Sequence, residues 1–421
     1  TVRGLPYFGH HFNLISLAYV PAYWLGAGPH FLYLAETIAL AAGAVPLWLL
    51  GRDRLGRKWP ALVPAGAYLL HPTVEWINWW HWHPDALAIT PLLFAWWFAT
   101  RRRWGWFAAA VAVTLSTKED AALAVAALGL VVLWRGGRPA RRAGLATAAT
   151  GTAWFAFVTL VAMPAFSGGA PFYAQQFFPK FGSGVGSVVW GMATHPVEVV
   201  RVLVAPNRLS YYWHLLAPTG LVGLLGAPLL LVGAPQTAVN ALSSLPGPHD
   251  PRFHYSSMVV AAIFLATVEG AALARRRHPR LGAAALVSVA AAALAANVAW
   301  SPSPLGVRFD SGIWLRTNEH TAALDRAVAM VPAGAGVSAS YNVVAHLTHR
   351  RIAYEWPNPW RVGNWAIHDE KPPDPGGVDY IVLDTSLGQA PGVLASLTGP
   401  SGAFDVVLDD GGALVARRRS R

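Results

Sequence analysis

Long apolar runs separated by short arginine clusters limit most strongly what this chain can fold into. Residues 30–50, 86–100, 143–163, 254–274 and 281–300 are almost free of charge. A helix needs about 20 apolar residues to cross the ~30 Å hydrocarbon core of a bilayer. Inside that core each backbone amide must be satisfied within the protein, so such runs read as membrane-crossing helices. The charge content agrees: apolar residues make up 54% of the chain and charged residues 13%, where soluble domains carry about 25%. So few ions cannot coat a globule in water. The 20 Trp residues, many at the ends of apolar runs, suit the bilayer interface, which favours indole rings.

The basic residues set orientation. Four clusters, at 52–58, 101–103, 135–142 and 275–280, lie between apolar runs, and a fifth closes the chain at 417–421. Placing the first four on the cytoplasmic side satisfies the positive-inside rule without conflict. The formal charge of +11 is spread over these clusters and not gathered on one domain, so nucleic acid is not the expected partner. Cysteine is absent, which excludes disulfides and thiolate metal sites. Residues 104–134 and 211–243 are too long for one crossing and short for two, and each reads as a hairpin of short or broken helices. With 60–71 counted as well, about ten crossings are expected. Residues 12–25 read as an outer interfacial helix, and 164–210 as an outer loop. The chain opens on Thr1 in what looks like the middle of a loop, so an N-terminal truncation is expected.

Residues 1–300 are therefore expected to form an all-α polytopic membrane domain, and 301–421 a small extracytoplasmic α/β domain. In the tail, 337–340, 352–354, 380–384, 406–408 and 413–416 are short, largely β-branched runs that read as strands, and 321–331 has helical spacing. Residues 355–377, rich in Pro, Trp and Gly, read as a long ordered loop.

Three stretches carry candidate chemistry, and all fall on the expected outer face. The first holds His81, His83 and Asp85. These are residue types that ligate a divalent metal or line a substrate site, although an interfacial aromatic belt produces the same triplet. The second is Lys118, Glu119 and Asp120, set between two apolar runs. Ionisable groups at such depth are expensive and point to function, unless they merely close a hairpin. The third is Arg252, His254 and Tyr255 at the start of a span. There a guanidinium fork and a helix N-terminus favour phosphate, and ordinary interfacial anchoring is the alternative. Arg252 is the expected second partner for the two acids that Lys118 cannot neutralise alone. In the tail, His346, His349, Arg350 and Arg351 form a basic patch and Asp384 ends a strand; such positions can bind a ligand in α/β domains, and a solvated surface is the plainer expectation. No nucleotide-binding or nucleophile-elbow motif is present.

Several of these strings occur together in a fixed order. His11-Phe12 precedes the interfacial helix, and Asn78 and His81-Trp-His83-Pro-Asp85 precede a span. Thr117-Lys118-Glu119-Asp120, Arg252-Phe253-His254-Tyr255 and the tail strings around Ser340, His346 and Asp384 follow. The series resembles a bacterial family of polytopic membrane proteins, domain of unknown function 2079. That family is similar in architecture to the GT-C glycosyltransferases, multi-span enzymes that take sugars from polyprenyl-phosphate carriers on the outer face of the plasma membrane. The resemblance implies a lipid-phosphate sugar donor, with Glu119, Asp120 and Asp85 as catalytic carboxylates. Lys118, His81, His83, Arg252, His254, Tyr255 and His11 would contact substrate. It names no cofactor with certainty, and a divalent metal ion is one that GT-C chemistry admits. In GT-C enzymes the acidic catalytic residue usually sits in the first outer loop, most of which would lie before Thr1. A transporter or flippase of lipid-linked intermediates, or a scaffold displaying the tail, would use the same features without chemistry. Protein partners are not named by the sequence.

Overall fold

The apolar runs fold as helices, and proline decides where several of them begin. The computed structural model describes residues 6–167, 176–309, 317–361 and 373–420. Proline occupies the first turn of Pro29–Ala42, Pro72–Trp79, Arg138–Phe157, Pro196–Leu203, Pro206–Leu216 and Pro279–Trp300. There its missing N–H costs nothing and its φ is already helical. Contacts divide the chain into two units. One comprises His11–Ala165 with Gly169–Asp310; the other comprises Thr1–His10, Phe166–Gly168 and Ser311–Arg421.

The first unit is helical. Among the described residues, five segments are long and apolar enough to cross a membrane: Pro29–Leu55, Arg138–Ser167, Val222–Leu242, His254–Arg277 and Pro279–Trp300. About ten crossings are not supported. The helices Leu62–Leu69, Ile89–Thr100, Trp104–Thr117 and Ala121–Arg135 have at most 15 residues. At 1.5 Å per residue the longest reaches only about 22 Å, short of the hydrocarbon thickness. The apolar content was read correctly, but breaks at Arg103, Lys118 and Gly136 cut it into shorter pieces. The expected interfacial helix is a 3-10 segment, Leu14–Tyr19, followed by Val20–Trp24.

Helix Ser257–Arg277 forms the centre. The apolar window of its span is 94% buried, against 33–39% for the other four. Around it pack Ala44–Leu55, Ile89–Thr100, Leu230–Leu242, Pro279–Trp300 and the 3-10 turns Val222–Leu229. Close helix approach depends on small residues, because lipid supplies no hydrophobic drive between helices. Helices Ala121–Arg135 and Arg138–Phe157 show this most clearly. A Cβ on Gly129 would lie 2.3 Å from the Ala148 nitrogen, and one on Gly144 would lie 2.4 Å from the Leu133 nitrogen.

The second unit carries a five-stranded mixed sheet in the order β2-β1-β3-β5-β4. Its strands are β1 (Val337–Ala339), β2 (Ala353–Glu355), β3 (Tyr380–Asp384), β4 (Phe404–Asp410) and β5 (Ala413–Arg418). Strand β1 runs parallel to β2 and β3, while β5 runs antiparallel to β3 and β4. Alternate residues feed two cores. Val382, Ala413 and Val415 join helix residues Ala323 and Ala327 on one face. Ile381, Leu383, Leu414 and Ala416 join Trp356 and Phe404 on the other. Helix Glu319–Ala329 starts with a capping box of Asn318 and Thr321, which satisfies its first amides. Of the expected ordered loop 355–377, residues 362–372 lie outside the described residues.

Candidate functional site

Helix Trp104–Thr117 ends where Lys118 turns to extended backbone, φ −161° and ψ 158°. The break drops Lys118, Glu119 and Asp120 into the gap before Ala121–Arg135 and leaves their side chains in the protein interior. Lys118 is 5% exposed, and the Asp85 it meets is 1% exposed. Lys118 Nζ donates to Asp85 Oδ1 at 2.8 Å, lies 3.6 Å from Asp120 Oδ2, and sits over the Tyr255 ring at 5.5 Å. One ammonium thus serves two carboxylates and a π face. Glu119 turns the other way. Its Oε1 meets His11 Nδ1 at 3.0 Å, and its Oε2 accepts from the Phe12 backbone at 3.1 Å.

The expected convergence of the second and third stretches occurs, through Tyr255 and not through Arg252. The Arg252 guanidinium forks onto Asp250, with Nη2 to Oδ2 at 2.6 Å and Nε to Oδ1 at 3.0 Å, and its side chain is 58% exposed. The place expected for Arg252 beside Glu119 is taken by His11. His254 stacks on His83, ring centroids 3.6 Å apart and planes inclined by 14°, and lies 4.2 Å from the Tyr255 ring. His83 Nδ1 faces the His81 carbonyl at 2.6 Å. That nitrogen therefore carries the proton and donates, which leaves Nε2 as the free lone pair of the neutral ring. Two imidazoles at this distance cannot both be charged without strong repulsion.

Burial and neighbours set the charge states. Burial pushes the His83 imidazole down to about 4, against the attraction of Asp85. For Lys118, burial favours the neutral amine, but Asp120, Asp85 and Glu119 together outweigh it and raise the ammonium well above its ordinary value. Burial alone would raise Glu119, and the nearby His11 and Lys118 turn the net shift downward. Asp120 goes the other way. Burial, opposed by Lys118 and reinforced by Asp85 and Glu119, lifts it to about 6. Its Oδ1 is buried with no hydrogen-bond partner, and so is His254 Nδ1.

Two contributions escaped the sequence reading. Glu36, from the span Pro29–Leu55, is 1% exposed. It takes a hydrogen bond from the His83 backbone and feels the charge of Asp85, while its Oε1 has no partner. The signal was available, a lone carboxylate in an apolar run, which defaults to function. Asn240 is the other. Its Nδ2 donates to the Tyr211 hydroxyl and to the Tyr255 carbonyl, each at 2.9 Å, and so fixes the backbone beneath the Lys118–Tyr255 contact. Nothing in the spacing of a lone Asn near a helix end would single it out.

Among the described residues, no group of three or more His, Asp or Glu side chains is placed to hold a metal ion. His83 is held by the His81 backbone carbonyl and stacked on His254, and Asp85 is paired with Lys118, so the triplet does not converge on a divalent ion.

In the second unit Asp384 is a structural knot. Its carboxylate accepts from His320 Nε2 at 3.1 Å, Asn342 Nδ2 at 2.8 Å and the Ser386 backbone at 3.0 Å. Burial would raise its pKa, and these bonds more than reverse that. Arg350 donates to the Ala335 carbonyl at 2.9 Å, so the basic patch partly braces a loop.

No curated protein and no solved structure matches this chain. A family model does, over residues 1–395. That match spans the helical unit, the Lys118–Asp85 site and most of the sheet unit, and on it the chain belongs to the family described as Predicted membrane protein (DUF2079).

Proposed function

We propose that the helical unit is a GT-C-like membrane glycosyltransferase that takes a sugar from a polyprenyl-phosphate donor at the extracytoplasmic face of a bacterial plasma membrane. The observation that carries this reading is Asp120: a buried carboxylate lifted to about 6, with one oxygen unpartnered, 3.6 Å from a buried ammonium. A general base works best when its pKa lies near the operating pH. In the reaction, Asp120 Oδ1 takes the proton of an acceptor hydroxyl as that oxygen attacks the anomeric carbon. The bond from that carbon to the donor phosphate oxygen breaks, and the electron pair leaves with the polyprenyl phosphate. Lys118 supplies positive charge where the leaving phosphate develops its own. Asp85 holds Lys118 in place, and Glu119 holds His11. His81, His83, His254 and Tyr255 line the approach, and Arg252 at the surface would exchange Asp250 for phosphate.

The positive-inside rule supports the orientation span by span. Arg138–Ser167 leaves from the basic cluster at 135–142 and Pro279–Trp300 from that at 275–280, which puts residues 164–210 and the sheet unit outside. The helix pair Trp104–Thr117 and Ala121–Arg135, with basic clusters at its open ends, would carry Lys118 toward that same face. Cysteines introduced at Ser183 and Ser386 should react with an impermeant thiol reagent in intact cells; labelling only after lysis reverses the orientation. The activity test uses the chain in proteoliposomes with a radiolabelled polyprenyl-phosphate sugar and a panel of hydroxyl acceptors. Transfer by the parent and its loss in Asp120→Asn is the expected result. Movement of intact lipid across the bilayer without transfer would replace this reading with a flippase.

A further inference from the structure

Helix Pro196–Leu203 has two apolar faces. Val199, Val202 and Leu203 pack inward on a core of Phe181, Val188 and Leu242. Val197 and Val200, with Val204 just beyond the helix, point away and are 72%, 57% and 55% exposed. The preceding helix, Val185–Thr194, repeats the pattern. Val188 and Gly191 are buried, while Val189 and Trp190 are exposed, Trp190 by 71%. Exposed apolar side chains repeated on two successive helices mark an interaction site.

The depth of these helices identifies what covers them. Leu242, on which they pack, is the last residue of the span Val222–Leu242. Arg208 closes that end by donating to the Ala241 carbonyl at 2.8 Å and the Ser243 carbonyl at 2.7 Å, satisfying acceptors the helix leaves open. A membrane span ends at the bilayer surface, so helices packed against its last residue lie at headgroup level. The flank of the apolar stripe is charged. Glu198 meets Arg201 at 2.7 Å and Lys180 at 3.9 Å. An apolar stripe with a charged border is the pattern of an interfacial helix, with long cationic side chains reaching back toward water.

We infer that Val185–Thr194 and Pro196–Leu203 lie in the interface of the bilayer the chain spans, with Val189, Trp190, Val197, Val200 and Val204 set among the acyl chains. This goes beyond glycosyl transfer and stands whether or not that reading holds. The chain has no native cysteine, so single spin labels can be placed at Val197→Cys and Val200→Cys, with Ser183→Cys as the water-facing reference. In proteoliposomes, collision with apolar oxygen relative to a water-soluble nickel chelate should be higher at 197 and 200 than at 183. A ratio at 197 and 200 equal to that at 183 overturns the inference, because the face then meets water. Exclusion of both reagents also overturns it, because protein then covers the face; dipolar broadening would identify that protein as a second copy. A labelled variant that elutes differently from the parent in detergent is replaced by Val204→Cys, for which the same ratio is expected.

Discussion

Replacing Lys118 by Met tests whether the site is held together by its one ammonium. The Lys118–Asp85 pair is short, at 2.8 Å, and both side chains are almost wholly buried, at 7% and 2% exposed. Removing one member of a buried pair strands the other charge, at a cost of about 3–5 kcal/mol. The Met side chain keeps most of the apolar stem, so lost packing adds little. Lys118→Met should therefore destabilise the helical unit by about 3–5 kcal/mol. Asp85→Asn in the same background should recover a large part of that loss, because the stranded charge is gone. The recovery is incomplete, since Asp120 also loses the cation 3.6 Å away. Reversible unfolding of the four proteins of the cycle in mixed micelles gives the coupling between the two positions directly. The reasoning is refuted if Lys118→Met costs less than about 1 kcal/mol, the ceiling for an exposed pair. It is refuted equally if the double variant is no more stable than the single one. The titration of Lys118 itself does not enter near neutrality. The folded value of Lys118 is raised, so its stabilisation is complete below the unfolded value of about 10.4 and fades only as pH rises through the folded one.

Two acids in the same turn should give pH slopes of opposite sign. Glu119 is lowered on folding, so its contribution is present above about 4.3 and is lost as pH falls through its folded value; Glu119→Gln should flatten that acid limb of the unfolding midpoint. Asp120 is raised to about 6, so folding favours its protonated form and stability declines as pH climbs from about 3.9 through 6; Asp120→Asn should remove that decline. Gly129→Leu should cost about 1–3 kcal/mol through overpacking, because its Cβ would already lie 2.3 Å from a neighbouring backbone nitrogen. Gly105→Leu, with open space around it, should change stability by less than about 0.5 kcal/mol, and equal losses would deny the close helix contact its role. Residues 317–421 expressed alone should melt cooperatively with dispersed amide resonances, since both faces of the sheet carry cores from within that segment; a random-coil spectrum would show dependence on the rest of the chain.

How legible the molecule was depends on the range of the signal. All five tail runs read as strands are strands, because a sheet covered on both faces leaves apolar residues at consecutive positions, as in Ile381, Val382 and Leu383. The helix break at Lys118 was legible for a similar local reason: three ionisable residues interrupt an apolar run. Pairing was not. Asp85 and Lys118 are 33 residues apart, and His11 and Glu119 are 108 apart, and nothing in either string names its partner. Arg252 was assigned to distant acids although Asp250 lay two residues away; a fork onto a near neighbour closes a far shorter loop. The crossing count is not supported, because hydropathy measures how apolar a run is, whereas spanning by a single helix depends on unbroken helical length.

The balance of charge at the site supports the proposed chemistry. Asp85, Glu119 and Asp120 surround one lysine, with Glu36 close behind. A knot selected only for stability would match cations to carboxylates, or omit both, since apolar replacements of buried ion pairs are often no less stable. Here Lys118 is shared, Glu119 draws on a histidine, and Asp120 and Glu36 each keep an oxygen without a partner. Each unpartnered oxygen costs about 1–3 kcal/mol. In an otherwise apolar bundle that cost is recovered if a ligand brings the missing donor. For Asp120 an acceptor hydroxyl is such a donor, and the proton it gives up is the one the proposed transfer must remove.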